Sequence, residues 1–204
     1  TIREEQADGS WISAYQAYYA LNPITLQIEK TFQVEYAPKT SNVWYAYNGK
    51  LWFFYSGESS DENTAYFGFA ALDPSTGNFS SVFENTYTGP WYNTYTHVNS
   101  TFYGNEFYVS LRDDTTRTST VLVYNVDTGE MRTIAVPDGM YALDVNQNSI
   151  FYLAASAENI GSNVSCALYR ISKNGTLRIL LQDEIDQKLL DLFTNQIRVI
   201  GNTI

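Results

Sequence analysis

A repeat of about fifty residues recurs along the chain and constrains its fold more than any other feature. Each copy has an apolar segment, a polar turn rich in Asn, Asp, Thr and Gly, and a second apolar segment. The equivalent residues just before the turn are Leu21, Leu72, Tyr124 and Ile171, which are 51, 52 and 47 residues apart. A period of this length indicates stacked or radial β units, each too small to bury its own faces.

A second repeat interleaves with the first. Its copies begin at the short polar turns Asn48-Gly49, Gly104-Asn105 and Asn146-Gln147-Asn148, and an aromatic strand follows each turn. Asn and Gly tolerate the positive φ that tight hairpin turns require. Two hairpins in every repeat mean four strands in every repeat. The sequence therefore predicts an all-β fold, a β-propeller of four-stranded antiparallel blades.

We predict one propeller domain, or a fragment of one, over residues 1–204. Its blades are predicted at about 10–35, 42–84, 95–136 and 140–182, with a partial blade at 188–204. The last repeat is incomplete. The blades would therefore either close a small four-bladed ring or form part of a larger propeller.

Two segments depart from the repeat. Residues 1–9 are rich in charge and are predicted to be a solvated lead-in. In the segment 182–193, Asp183 is a suitable helix cap and apolar residues follow at helical spacing, which predicts a short helix over about 183–193.

The composition excludes several classes of function. The chain has 12 basic and 22 acidic residues, a net charge of −10, which argues against nucleic acid or an anionic membrane surface as a partner. No apolar run is long enough to span a membrane, so we expect no membrane insertion. Cys166 and His97 are the single cysteine and histidine. A His/Cys metal cluster is therefore impossible, and we expect no metal and no cofactor.

The chain is rich in Asn, Ser, Thr and Tyr and poor in Lys, a composition typical of secreted or surface proteins. We therefore predict an extracellular or cell-surface location. Because the chain begins at Thr1 rather than at Met, we expect that a signal or anchor segment was removed.

The segments Leu168–Gly175 and Val199–Ile204 resemble blade hairpins of secreted bacterial propellers of uncharacterised function. These are relatives of the TolB-like family and of the LDL-receptor-type family with Tyr-Trp-Thr-Asp (YWTD) repeats, although the chain carries no Tyr-Trp-Thr-Asp signature itself. The resemblance implies a propeller fold, an exported location and a binding role. It carries over no catalytic residue.

Function usually lies in loops on a rigid scaffold, here the connections between blades and those between the second and third strands of a blade. The connection predicted over Asn85–Tyr95 is long and carries four aromatic residues, Tyr87, Trp91, Tyr92 and Tyr95. Aromatic faces beside amide and hydroxyl groups suit a sugar ring or a protein hot spot. The alternative is that Trp91 and Tyr95 pack on the flank of a neighbouring blade.

Charged residues supply a second set of candidates. Arg112-Asp113-Asp114 follows a second strand, as Asp61-Glu62 does one blade earlier, and paired carboxylates can hold a cation or act as acid and base. The alternative is a solvated turn. His97 opens a first strand and would face a ligand in the central channel, or would simply be a structural histidine.

These observations favour a non-catalytic exported propeller that binds a protein or a glycan. Its predicted ligand-binding residues are Tyr87, Trp91, Tyr92, Tyr95, His97, Arg112 and Asp113. The alternatives are a glycan-active enzyme that uses carboxylates of these loops, and a structural spacer domain of a larger surface protein.

Overall fold

Every regular element that the structure describes is a β-strand. The computed structural model describes residues 2–5, 11–22, 24–34, 45–58, 64–88, 96–113, 116–155 and 166–185. The strands are β1 (Ile2–Glu5), β2 (Trp11–Leu21), β3 (Ile28–Val34), β4 (Tyr45–Tyr47), β5 (Lys50–Glu58), β6 (Thr64–Leu72), β7 (Phe79–Thr88), β8 (Thr96–Tyr103), β9 (Glu106–Asp113), β10 (Thr118–Asn125), β11 (Met131–Val136), β12 (Met140–Val145), β13 (Ser149–Ala155), β14 (Cys166–Ser172) and β15 (Arg178–Ile185). Within this part of the chain no helix is long and apolar enough to cross a membrane.

The strands form antiparallel sheets in which neighbours in sequence are neighbours in space. The first sheet has the order β1-β2-β3, and the others have the orders β4-β5-β6-β7, β8-β9-β10-β11 and β12-β13-β14-β15. The prediction of an all-β chain built from four-stranded antiparallel sheets is therefore confirmed.

Part of the predicted lead-in belongs to a sheet, because residues 2–5 form strand β1, and the rest of it lies outside the described residues. Strand β2 is 11 residues long, and β3 pairs only with its second half, from Gln16 to Leu21. The first half of β2, from Trp11 to Tyr15, pairs with β1 from Ile2 to Glu5.

The predicted helix does not begin at Asp183, because Asp183 and Ile185 continue strand β15. Ile185 pairs with Cys166 on β14, so the sheet hydrogen bonds override the local helix signals there. The rest of the predicted helix, 186–193, and the partial blade at 188–204 lie outside the described residues.

Three of the four polar turns of the first repeat share one hydrogen-bonding scheme. In these three the side-chain oxygen of Asn22, Asp73 or Asn125 accepts hydrogen bonds from the backbone N–H groups two and three residues later. The fifth residue of the turn then adopts a positive φ, 77° at Gly77 and 73° at Gly129. These turns join β2 to β3, β6 to β7 and β10 to β11.

The chain divides into two compact units. Unit 1 comprises residues 1–59 and 65–86, and unit 2 comprises residues 60–64 and 87–204. In unit 1, one face of the sheet β4–β7 carries the rings of Phe54, Phe67, Phe69 and Phe83, and ring centroids there lie 5.7 to 6.3 Å apart.

In unit 2, the sheets β8–β11 and β12–β15 pack against each other through a buried apolar core. The first strands of the two sheets, β8 and β12, are joined by a buried hydrogen bond of 2.9 Å from Thr101 Oγ1 to Asp144 Oδ1. The backbone N–H of Met140 also donates to Ser119 Oγ at 2.8 Å. The core residues are Tyr108, Val121, Val123, Ile134, Val136, Met140, Leu143, Val145, Ile150, Tyr152, Ala154 and Ile171.

Candidate functional site

Five strand ends of unit 2 lie at the same edge of the two packed sheets. Residue Thr96 at the start of β8 pairs with Arg112 near the end of β9, and Asp113 pairs with Thr118 at the start of β10. Ser119 pairs with the last residue of β11, and its hydroxyl receives the N–H of Met140 at the start of β12. We call these strand ends and their connections the loop edge.

Arg112 is held across the loop edge against the neighbouring sheet. Its guanidinium carbon lies 5.0 Å from the ring centroid of Tyr141 on β12, a cation–π contact. Gly139 leaves room for the arginine, because a Cβ there would lie only 3.2 Å from Arg112 Cδ. Both Arg112 and Tyr141 are half-buried, so their packing fixes part of each side chain and leaves part at the surface.

Asp113 takes part in its own turn. Its Oδ1 accepts a hydrogen bond of 3.1 Å from the backbone N–H of Thr116, as a turn-forming Asp commonly does. Arg117 in the same turn adopts a positive φ of 56°. Asp114, like Asp61 and Glu62 of the preceding repeat, lies outside the described residues.

The backbone places His97 at the loop edge but does not place Tyr87 in a loop. His97 pairs with Leu111, next to Arg112, and the register shifts between His97 and Asn99. Tyr87 belongs to β7, which runs to Thr88, so the predicted start of the aromatic loop is wrong. Strand β7 continues for five residues beyond Phe83, where the sequence is largely polar and gives no strand signal. Trp91, Tyr92 and Tyr95 lie outside the described residues.

No metal-binding group is present among the residues that the structure describes, since no three His, Cys, Asp or Glu side chains come together there. Cys166 is buried beside Ala142 and Leu153. Burial raises the pKa of its thiol, which lowers its reactivity as a nucleophile.

A charged cluster that the sequence reasoning missed lies at the opposite edge of the same sheets. Glu106 accepts hydrogen bonds from Tyr108 and, at 2.9 Å, from Arg132, and it lies 3.7 Å from Lys173 Nζ. The Lys173 ammonium also sits 4.6 Å from the ring centroid of Tyr103 and 5.1 Å from that of Tyr108. We call these five residues the Glu106 cluster.

Burial and hydrogen bonding act in opposite directions on the pKa of Glu106. Burial alone would raise this pKa. The hydrogen bonds from Tyr108 and Arg132 and the charges of Arg132 and Lys173 together lower it by more than burial raises it, so the net shift is downward. Burial, and then the bond to Glu106, raises the pKa of Tyr108. Burial lowers the pKa of Lys173, and Glu106 partly offsets this.

A second cluster joins the connection before β12 to strands β13, β14 and β15 of the same sheet. Arg178 donates two hydrogen bonds of 2.8 Å to the two carboxylate oxygens of Asp138 and one of 2.9 Å to the hydroxyl of Tyr152. Its guanidinium carbon lies 3.9 Å from the ring centroid of Tyr169, which stacks on Tyr152. Such a two-pronged, stacked arginine fixes geometry strongly.

The side chains of these two clusters bind one another and so stabilise the fold. In each of them a carboxylate is held by an arginine and by a tyrosine hydroxyl, so it is already engaged as a hydrogen-bond acceptor. The Glu106 cluster ties the turns of the two neighbouring sheets together, because Arg132 also donates to the carbonyl oxygen of Lys173 at 2.9 Å.

Comparison with known proteins bears on the fold. No protein-family model matches the chain, and no curated protein matches it. The β-propeller domain of the Trilobed protease from Pyrococcus furiosus, described as having an open velcro topology, is similar at 7% identity and a TM-score of 0.56. That match covers 90% of this chain and 52% of the protease domain structure.

A variant of the Synechocystis apocarotenoid oxygenase is also similar, at 9% identity and a TM-score of 0.48, over 80% of this chain and 44% of the other. The chain therefore spans about half the length of these structures or less. The likeness to the protease domain confirms that the chain has a β-propeller fold, as its repeat and the resemblance of its hairpins predicted.

Proposed function

We propose that the chain is a non-catalytic binding module that recognises a protein or a glycan at the loop edge. The observation that carries this proposal is the contact between Arg112 and Tyr141, which come from neighbouring sheets and meet at this edge. In the sequence, the segment 89–95 with its three aromatic residues leads directly into β8 at the same edge. Trp, Tyr and Arg are the residue types most enriched in binding hot spots.

The rigidity of the scaffold supports a binding role. Arg112 pairs with Thr96 and Ser119 on the neighbouring strands, and Tyr141 follows Met140, whose N–H donates to Ser119. A side chain held in place before binding loses little conformational entropy when a ligand arrives. An aromatic ring and a guanidinium group can offer a sugar or a peptide both a stacking surface and hydrogen-bond donors.

The same proposal includes an exported or cell-surface protein related to the TolB-like or YWTD-type propellers. The hairpin segments that resemble those families support it, together with the low lysine content. Fractionation of cells that produce the natural gene product would test the location: we expect the protein outside the cytoplasm, and a purely cytoplasmic protein would contradict this part of the proposal.

The binding site is tested by paired substitutions at the two edges of the sheets. The purified chain is applied to an array of neutral and acidic oligosaccharides and to a library of displayed peptides, and hits are titrated in solution. Tyr141→Ala should weaken binding by at least about tenfold, as the loss of a hot-spot residue does. Tyr103→Ala is the matched control, because it removes a tyrosine at the edge of the sheets opposite the loop edge. It should change the affinity less than about twofold.

Equal effects of the two tyrosine substitutions would contradict the loop edge as the site. Release of reducing sugar from an array hit by the wild-type chain would instead support a glycan-active enzyme.

The substitution Trp91→Ala distinguishes a recognition role for Trp91 from a role in the core. We expect Trp91→Ala to change the free energy of unfolding by less than about 0.5 kcal/mol, as for a surface residue, and to weaken binding of the same hit. A loss of about 3–5 kcal/mol would show that Trp91 belongs to the core. Thermal and urea unfolding of the two proteins measures the difference before any ligand is known.

A further inference from the structure

The hairpin β2–β3 exposes a group of large apolar side chains. Leu21 at the end of β2 pairs with Ile28 at the start of β3, and Tyr19 lies on the same face two residues before Leu21. Ile24 and Leu26 lie in the turn that joins the strands. All five side chains are exposed, Ile24 at 90% and Leu26 at 72%. We call them the hairpin patch.

The equivalent positions of the other repeats are covered. Leu21 is 51% exposed, whereas its counterparts Leu72, Tyr124 and Ile171 are only 1%, 5% and 2% exposed. In unit 2 the cover of Ile171 is the preceding sheet, since Ile171 belongs to the core between the two packed sheets. A propeller sheet is too small to bury its own faces, so an uncovered face of this kind calls for a partner.

Among the three turns that share the hydrogen-bonding scheme, the turn of this hairpin differs from the other two in its residues. Leu26 adopts a φ of 57° where Gly77 and Gly129 stand in the other turns, with the same backbone hydrogen bond to the residue four positions earlier. A leucine in the left-handed region is strained by about 1 kcal/mol relative to glycine. Ile24 stands where the other turns have the polar Ser75 and Asp127. The fold alone explains neither residue.

We infer that the hairpin patch is an interface with a second copy of this chain. The five side chains expose on the order of 600 Å², at the upper limit of what a typical monomer shows as its largest apolar patch. Two copies joined through this surface would bury on the order of 1,200 Å² in total, the lower end of the range for specific interfaces. A twofold dimer, the commonest assembly, brings the same patch from both copies together.

The charges around the patch fit this arrangement. Lys30 pairs with Ala20 and therefore lies on the opposite face, where its ammonium donates to the carbonyl oxygen of Pro74 at 3.2 Å. Glu29 accepts a hydrogen bond from the side chain of Asn22 at 2.8 Å. The residues of the patch itself are all uncharged, so joining two copies would bury no charge of the patch.

Sedimentation velocity of the whole chain, from low micromolar to near-millimolar concentration, tests the inference. We expect a reversible monomer–dimer equilibrium for the wild type. Ile24→Ser and Leu26→Gly introduce the residues that Ser75 and Gly77 supply in the next repeat, and each should raise the dimer dissociation constant at least tenfold. Leu177→Ser removes an exposed leucine from another turn and should change it less than twofold.

Folding and association are separated by the choice of variant. Leu26→Gly relieves a strained φ, so its melting temperature as a monomer should equal or exceed that of the wild type. The dimer should also strengthen with added salt, because salt screens the repulsion between two chains of net charge −10. A wild type that stays monomeric, variants that dimerise as well as the wild type, or a dimer that weakens with salt would each overturn the inference.

Discussion

Gly68 lies where the structure has no room for any side chain. It pairs with Tyr55 across β5 and β6, and the tyrosine ring covers it. A Cβ built on Gly68 would lie 2.3 Å from the carbonyl oxygen of Phe83 and 2.6 Å from the Cζ and hydroxyl oxygen of Tyr55. Its φ lies outside the left-handed region, so the conflict with Gly68→Ala is one of space and not of backbone conformation.

The atoms around Gly68 have little freedom to move away. The Tyr55 hydroxyl donates to Glu84 Oε2 at 2.7 Å and shares a 2.7 Å hydrogen bond with Ser81, and the Phe83 oxygen belongs to the backbone of β7. Overpacking in such a setting costs about 1–3 kcal/mol. We expect the upper value, about 3 kcal/mol, because one of the opposed atoms is backbone. For a chain of this length that lowers the melting temperature by about 6–12 °C.

Gly104 provides the matched control. A Cβ there would meet nothing within 4 Å, but its φ is +65°, so Gly104→Ala should cost about 1 kcal/mol through conformation alone. Thermal unfolding followed by circular dichroism, with urea unfolding to check the cooperativity, measures both variants. If Gly68→Ala costs no more than Gly104→Ala, the close packing of Tyr55 on Gly68 is not a feature of the folded protein.

Two further predictions concern pH. Burial, with the nearby Glu84, raises the pKa of Tyr55 to about 12, and burial with Glu106 raises the pKa of Tyr108. The stability that these tyrosines contribute is therefore complete below their unfolded pKa near 10 and declines as the pH rises above it. Tyr108→Phe should flatten this decline in stability between about pH 10 and 12, and an unchanged slope would contradict the prediction. The pKa of Glu106 is lowered, so the stability that its carboxylate contributes is present above the unfolded pKa of about 4.3 and is lost as the pH falls through the lowered value. Glu106→Gln should therefore reduce the free energy of unfolding by urea more at pH 7 than at about pH 3. Equal reductions at the two pH values would refute the lowered pKa.

The sequence was most informative where structure depends on neighbouring residues. Leu21 and Leu72, which the repeat placed just before the polar turns, are the last residues of β2 and β6, because polar turns and apolar strands mark these ends locally. Prediction from the sequence failed where pairing with a residue distant in the chain decides whether a segment forms a strand. Strand β1 pairs with the first half of β2, and Ile185 extends β15 by pairing with Cys166.

The candidate site shows the same division. The repeat predicted that Arg112 follows the second strand of its blade, whereas Arg112 lies within β9, where it pairs with Thr96 and Ser119. Its proximity to a strand end did follow from the repeat. Its contact with Tyr141 did not, because the two residues come from different sheets and no periodicity links them. The Glu106 cluster draws on Arg132 and on Lys173, far along the chain, for the same reason.

Comparison of the internal repeats with one another gives a functional signal that the motifs do not. Glu106 departs from its counterparts Lys50 and Ser149, and the structure explains the difference, because Arg132 and Lys173 are present to bind it. Leu26 departs from its counterparts Gly77 and Gly129 at a cost both in backbone conformation and in exposed apolar surface. A departure that is offset inside the fold is structural. One whose side chain is 72% exposed gains little from packing within the fold, so its explanation is best sought in a partner outside the chain.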